Sequence, residues 1–226
     1  MKKSLQTSLL SVLTIILLTV GAILLVLGAW ISYRHFTYHP VCMGIDVSHH
    51  NDITGKNTPE AFKSLDSIQF LIAKATQGDS FKDSEYNNYK AYAKKMRLKF
   101  GAYHFLTRNH DAYDQFDHFR KVAGREIDII PCLDIESYDD KHWSRSEARE
   151  KLNEWNEKCK EYYGVYPIVY CNEFYRLVYF NDMPNKFWIC NKVTRPLRDC
   201  VIHQYTNNHE TLDYNYLPYP IENILL

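Results

Sequence analysis

The sequence predicts an α/β protein, an irregular TIM-like barrel of the form (β/α)5(β)3 preceded by one transmembrane helix. Three observations lead there. Short apolar runs of strand length alternate with helical patterns, the order expected of a parallel sheet. Beyond Cys171 the intervals between such runs become too short for a full helix at each step, so the last third reads as strands. An uncharged stretch of 23 residues, Leu9 to Ile31, precedes all of this, and about 20 apolar residues suffice to cross the ~30 Å hydrocarbon layer of a bilayer.

The amino-terminal stretch reads as a retained anchor. Signal-peptide cores are usually about 7–15 residues long, and no convincing small-x-small cleavage site follows this one. Lys2 and Lys3 precede it, and Trp30 and Tyr33 stand at its far end, where an aromatic belt belongs. The positive-inside rule then leaves the amino terminus in the cytoplasm and the rest outside, with Arg34 and His35 weakening the asymmetry. The expected organisation is a cytoplasmic tail (1–8), a signal-anchor helix (9–32), a linker (33–40) and a barrel domain (41–226). Secretion after signal cleavage is the alternative.

The barrel elements follow in order. Val41 to Ser48 is an apolar strand carrying Asp46 near its end, followed by the polar loop His49-His50-Asn51-Asp52. Thr58 to Leu65 has helical character, with Thr58 as N-cap and Pro59 at the first helical position. Phe70 to Thr76 is a second strand, Tyr86 to Leu98 a helix, Lys99 to Phe105 a third strand, and Asp111 to Ala123 a helix with Ala112, Phe116 and Phe119 at helical spacing. The central run Ile129 to Glu136 is the fourth strand. Ser144 to Tyr163 is the clearest helix, opened by a capping-box pattern, Ser144 to Glu147, and stopped by Gly164. Tyr166 to Cys171, Phe187 to Cys190 and Val201 to Tyr205 complete the strands, with a last extended piece around Leu212 to Asn215.

Composition removes several classes. Residues 1–36 hold Lys2, Lys3 and Arg34 and no acid, leaving 24 basic against 27 acidic side chains in the remainder. That balance lacks the basic stripe of a nucleic-acid binder. No Gly-x-Gly-x-x-Gly run or phosphate loop is present, so no cofactor is expected. The six cysteines include no C-x-x-C pair and read as buried thiols, with pairing of Cys159 or Cys42 to Cys200 left open.

The chemistry points to the central strand. Side chains at i and i+2 share a face, so Asp134 and Glu136 are expected to project together from the end of a buried strand. Burial and like charge raise the pKa of at least one of two such acids, and an acid held protonated beside one held ionised is the equipment of a glycosidase. Capping or ion pairing would explain the same spacing. In α/β barrels reactive groups gather at the carboxyl ends of the strands, and Asp46, His104, Asp134, Glu136, Asn172, Gln204 and Asp213 all fall at or near such ends.

Gly44-Ile45-Asp46-Val47-Ser48, Ala73 to Gly78, Gly101 to Phe105, Leu133 to Glu136, Gln204-Tyr205 and Asp213-Tyr214-Asn215 occur in the order seen in family 25 glycoside hydrolases, the Chalaropsis-type lysozymes or muramidases. The sequence resembles that family over about Met43 to Leu217. The resemblance implies cleavage of the β-1,4 bond between N-acetylmuramic acid and N-acetylglucosamine in peptidoglycan. It implies a groove lined by Asp46, Asp134, Glu136 and Asp213, with Glu136 as general acid. Asp134 resembles the aspartate that orients a substrate's own acetamido nucleophile, and direct activation of water by Asp46 or Asp213 is the other route. Tyr103, Phe105, Tyr138, Tyr170, Trp188, Gln204 and Tyr205 are the expected substrate contacts, each aromatic among them being as readily part of the barrel packing.

The sequence departs from the family pattern at Gln77, where glutamate is common, at His203, where tryptophan is common, and in the loop after Ser48. These bear on substrate preference. A metal-dependent amino-sugar deacetylase, using Asp46, His49, His50, His104, Asp134 and His203 as ligands, is one rival; no helical pair of histidines at i, i+4 supports it. A barrel that binds glycan without turnover is the other. The expected partners are peptidoglycan strands and, through residues 9–32, the membrane, with the chain acting as a monomer.

Overall fold

The computed structural model describes residues 2–36, 41–51, 68–137, 142–196, 200–206 and 212–226. The chain divides into two compact units, Met1–Tyr38 and His39–Leu226. The expected helix at Thr58 to Leu65 and the expected contact Tyr138 lie outside the described residues.

The first unit is one helix, α1 (Lys2–Phe36). Its stretch Val12–Tyr33, 22 residues, is long and apolar enough to cross a membrane by length and composition. Most of its leucines, isoleucines and valines are exposed, an arrangement that is costly in water and neutral in hydrocarbon. Inside this stretch the Thr19 hydroxyl turns back to the carbonyls of Ile15 (3.0 Å) and Ile16 (2.8 Å), so its polar group is satisfied within the helix.

The second unit is the barrel. Its strands are β1 (Cys42–Val47), β2 (Phe70–Gln77), β3 (Phe81–Lys82), β4 (Lys99–Phe105), β5 (Cys132–Asp134), β6 (Ile168–Asn172), β7 (Phe187–Cys190), β8 (Ile202–Gln204) and β9 (Asp213–Leu217). Helices α2 (Tyr86–Met96), α3 (Ala112–Ala123) and α4 (Arg145–Tyr163) follow β3, β4 and β5. Among the described residues, β1, β2, β4, β5, β6, β7 and β8 pair in parallel succession. β9 pairs antiparallel with both β8 and β1 and closes the ring. β3 turns back on β2 as a hairpin outside it. The simpler final third is as expected: β6 leads to β7 through a π-helical turn, Tyr175–Tyr179, and no further helix separates β7, β8 and β9 among the described residues. The reversed direction of β9 is new, since an apolar pattern does not encode strand polarity.

Alternation along the strands sorts side chains into two layers. Phe70, Ile72, Cys132, Ile168, Trp188, Ile202 and Leu217 fill the barrel. Ile45, Leu71, Ala73, Leu133, Val169 and Ile189 belong to the second layer, with Phe116 and Phe119 of α3 and Trp155 of α4. Gly44 pairs with Phe70, whose ring lies so close that a Cβ at Gly44 would stand 2.5 Å from it. A register shift between Lys74 and Thr76 interrupts the β2–β4 ladder. Such a bulge turns the following residues over, which lets Lys74 Nζ reach Gln77 Oε1 at 2.6 Å.

Helix ends match their signals. Asp111 caps α3 by accepting the Tyr113 (2.8 Å) and Asp114 (3.2 Å) amides. Ser144 caps α4 by accepting the Glu147 amide at 3.2 Å, and Gly164 ends it at φ 82°, a left-handed conformation natural to glycine. The Glu147 carboxylate of the capping box also accepts from Arg108 Nε and Nη2, at 3.0 and 2.9 Å. None of the six cysteines is joined in a disulfide among the described residues; five are buried and Cys190 is half-buried.

Candidate active site

A cavity of about 720 Å³ opens at the carboxyl ends of the parallel strands. Asp46, Lys74, Gln77, Tyr103, Phe105, Asp134, Glu136, Tyr170, Trp188, Gln204 and Asp213 all line it, together with an arm formed by His49, His50, Phe81 and His110. Because β9 is reversed, its first residue reaches this end, and Asp213 stands directly opposite Asp46 in the ladder. Like charges placed so are mutually destabilising.

Asp46 is 8 % exposed, and its Oδ2 accepts from Gln204 Nε2 (2.9 Å) and Asn215 Nδ2 (2.7 Å). Those amides are fixed in turn. Tyr170 donates its hydroxyl to Gln204 Oε1 at 2.9 Å, and Trp188 donates Nε1–H to Asn215 Oδ1 at 2.7 Å. Burial first, then the Asp213 charge, pushes the Asp46 carboxyl well above the ordinary range, while the two amides pull it back. Four strands beyond β1 thus converge on one oxygen.

Asp134 ends β5 and is 7 % exposed. Its Oδ1 is buried and has no hydrogen-bond partner among the described residues. Burial and then the Glu136 charge raise its pKa well above the ordinary value, with the Lys74 cation opposing them. Glu136 lies two residues past the end of the strand, so the observed strand is shorter than the expected run Ile129 to Glu136. It lines the cavity all the same. The Trp143 indole donates to the Glu136 carbonyl at 3.0 Å, and the Tyr179 hydroxyl donates to the Trp143 carbonyl at 2.8 Å, tying this backbone to the segment after β6.

Lys74 is a cavity residue that the motif reading quotes without giving it a role. A lysine in the middle of an apolar strand is a signal in itself, since lysine is seldom buried without a partner. Its ammonium lies 5.0 Å from the Phe105 ring centroid and 5.7 Å from that of Phe81. Burial lowers its pKa, and the charges of Asp134, Asp83 and Glu136 work against that. Asn215 is a second residue quoted there without a role. It follows Asp213 at i+2 and therefore shares its inward face.

The expected substrate contacts divide. Tyr103 lines the cavity with its ring edge-on to Trp188 at 6.4 Å. Phe105, Tyr170, Trp188 and Gln204 line it too, but the polar ends of the last three serve the Asp46 network. The structure does not bring Tyr205 into the cavity. Alternation turns it away from the face that carries Gln204, and its ring stacks on Tyr216 at 3.8 Å. His104 also faces outward. It pairs with Thr76 Oγ1 (2.7 Å) and Gln115 Oε1 (3.2 Å), lies 4.6 Å from the Trp155 ring, and is held neutral by burial, which takes its pKa down to about 3. His203 points out of the barrel as well, its Nε2 donating to the Asn191 carbonyl at 2.7 Å. The six residues of the metal alternative are therefore spread over both faces of the barrel. No group of three or more His, Cys, Asp or Glu is placed to hold a metal ion among the described residues.

A closed α/β barrel with paired acids in a groove at its carboxyl end is the architecture of a barrel glycosidase. The sequence matches the profile of the glycosyl hydrolases family 25 over residues 45–214, and the chain belongs to that family. It resembles an autolytic lysozyme of Clostridium acetobutylicum, with 30% identity over 69 residues; the match covers 30% of this chain and 21% of that protein. In fold it resembles a family 25 glycosyl hydrolase from Bacillus anthracis, with TM-score 0.70 at 23% identity over 81% of this chain and 92% of the other. A lysozyme from Streptomyces coelicolor superimposes with TM-score 0.67 at 21% identity, covering 81% of this chain and 94% of the other.

Proposed function

We propose that the chain is an N-acetylmuramidase, hydrolysing the β-1,4 bond between N-acetylmuramic acid and N-acetylglucosamine in peptidoglycan. Glu136 gives its proton to the leaving glycosidic oxygen. Asp134 accepts the N–H of the substrate's acetamido group, whose carbonyl oxygen attacks the anomeric carbon and forms a cyclic intermediate. Water then opens that intermediate, and the Glu136 carboxylate takes its proton, restoring the acid. Asp46 and Asp213 supply negative charge for the cation that develops on the sugar.

The observation that carries this reading is the Asp134 Oδ1 atom. It is a buried acceptor without a donor among the described residues, on the cavity wall shared with Glu136. A group left so costs about 1–3 kcal/mol, and an amide N–H of a bound amino sugar would satisfy it. The autolytic lysozyme and the solved lysozyme agree with glycan as the substrate class.

Residues 9–32 are assigned as the membrane anchor, with 1–8 cytoplasmic, 33–40 a linker and 41–226 the extracytoplasmic catalytic domain. Removal of the segment as a signal peptide is the alternative, and the mass of the protein in membrane and culture fractions separates the two. The activity is tested by incubating the full chain with insoluble peptidoglycan and identifying the sugar at each new reducing end. Muramic acid ends are expected. Glucosamine ends would replace the assignment with cleavage of the other glycosidic bond.

A further inference from the structure

Phe81 is a cavity aromatic to which this chemistry gives no role. It keeps 43 % of its surface exposed, whereas Phe105, Tyr170 and Trp188 keep 8, 7 and 2 %. A phenyl ring left in water forgoes the gain of burying its apolar surface. The ring is not on a loose loop. β3 pairs with β2 through Gln77↔Phe81 and Thr76↔Lys82. His118 Nε2 donates to the Phe81 carbonyl at 3.0 Å. Just beyond, the fully buried Asp83 accepts the amides of His49 (3.0 Å) and Glu85 (2.9 Å), clamping the hairpin to the loop after β1.

The surroundings suit a sugar ring. Pyranoses bind by laying an apolar C–H face on an aromatic ring while their hydroxyls find polar groups at its edge. His49 stands 5.5 Å from Phe81, tilted by 55°, and Gln77 lines the cavity beside it. In the ring of eight barrel strands β2 and β7 lie four places apart, so the hairpin grows from the wall opposite Trp188. A glycan crossing the acids from the β7 side therefore continues onto it.

We propose that Phe81 is the platform of a sugar-stacking subsite that receives a further pyranose of the bound strand. This rests on the glycan-cleaving reading above and adds a place where chain length is sensed.

The test uses the full chain in detergent, as wild type, Phe81→Ala and Phe81→Trp. Calorimetric binding of a hexasaccharide of N-acetylglucosamine is measured beside hydrolysis of peptidoglycan strands. Phe81→Ala is expected to weaken hexasaccharide binding about tenfold, equivalent to about 1.4 kcal/mol. It should raise KM on long strands by a similar factor with kcat unchanged, and Phe81→Trp should restore both. Unchanged binding in Phe81→Ala, a loss that Trp does not restore, or a loss confined to kcat would overturn the subsite. A wild type that binds the oligosaccharide but does not cleave would instead remove the hydrolase reading, and the binding comparison would still decide the subsite.

Discussion

Asp134→Asn should make the protein less active and more stable. In the wild type a carboxylate 7 % exposed presents a buried oxygen with no partner among the described residues. Hydrogen bonds to charged groups are worth about 1.5–3 kcal/mol and neutral ones about 0.5–1.5, so leaving a neutral amide short of partners costs about 1–1.5 kcal/mol less than leaving a carboxylate short. Losing the attraction to Lys74 offsets part of this. A net gain of about 1 kcal/mol remains, which in a domain of this size is about 2–4 °C in Tm.

The sign depends on pH. Burial and Glu136 raise the Asp134 pKa in the folded state, so the folded chain binds this proton more tightly than the unfolded chain does. The stabilisation from that proton is complete below the unfolded carboxyl value of about 3.9 and is lost as pH rises through the raised folded pKa. The advantage of Asn should therefore be present at neutral pH and fade towards pH ~4. Thermal unfolding followed by near-ultraviolet circular dichroism at both pH values reads it. On activity, Asn presents N–H or a neutral oxygen where the acetamido N–H needs an anion, and kcat is expected to fall by about 10²–10³. A variant less stable than wild type at neutral pH, or a stability difference that does not change with pH, would refute this electrostatic reasoning.

Three further outcomes follow from the same geometry. Attack by the acetamido oxygen and then by water inverts the anomeric carbon twice, so proton NMR during early turnover should show the β product first; an α product would transfer the attack to a water activated by Asp46 or Asp213. Lys74→Met removes the cation that holds the Asp134 pKa down, so the acid limb of the kcat/KM profile should move to higher pH, and an unmoved or lowered limb would contradict that. Gly44→Ala sets a Cβ 2.5 Å from the Phe70 ring, and denaturant unfolding should show a loss of about 1–3 kcal/mol, the usual cost of overpacking.

Much of this architecture is legible in the residues, for reasons that can be named. Asp111, Ser144 and Gly164 signal helix ends through local hydrogen bonding and backbone freedom, which need no tertiary context. The strand alternation that buries Leu71 and Leu133 on one face places Asp46 and Asp134 on the other. What stays hidden depends on partners distant in sequence. The β3 hairpin has only two residues in its strand, too few for a periodic signal, so Phe81 gives no warning. Tyr170 and Trp188 look like stacking aromatics until Gln204 and Asn215 are seen to use their polar ends. Gln204 and Tyr205 are the instructive pair. Successive residues of an extended segment cannot both face one cavity, and the alternation already tells them apart where the motif does not. The bulge between Lys74 and Thr76 is the opposite case, since it overrides alternation and brings Gln77 back beside Lys74.

The central claim is that Glu136 supplies the proton, and the most direct measurement is a side-by-side assay of wild type and Glu136→Gln on insoluble peptidoglycan. Both should pull down with the polymer to the same extent, while only the wild type releases fragments with new muramic acid reducing ends. Release by Glu136→Gln at the wild-type rate would contradict the claim, and binding by both proteins with release by neither would leave a barrel that holds glycan without cleaving it.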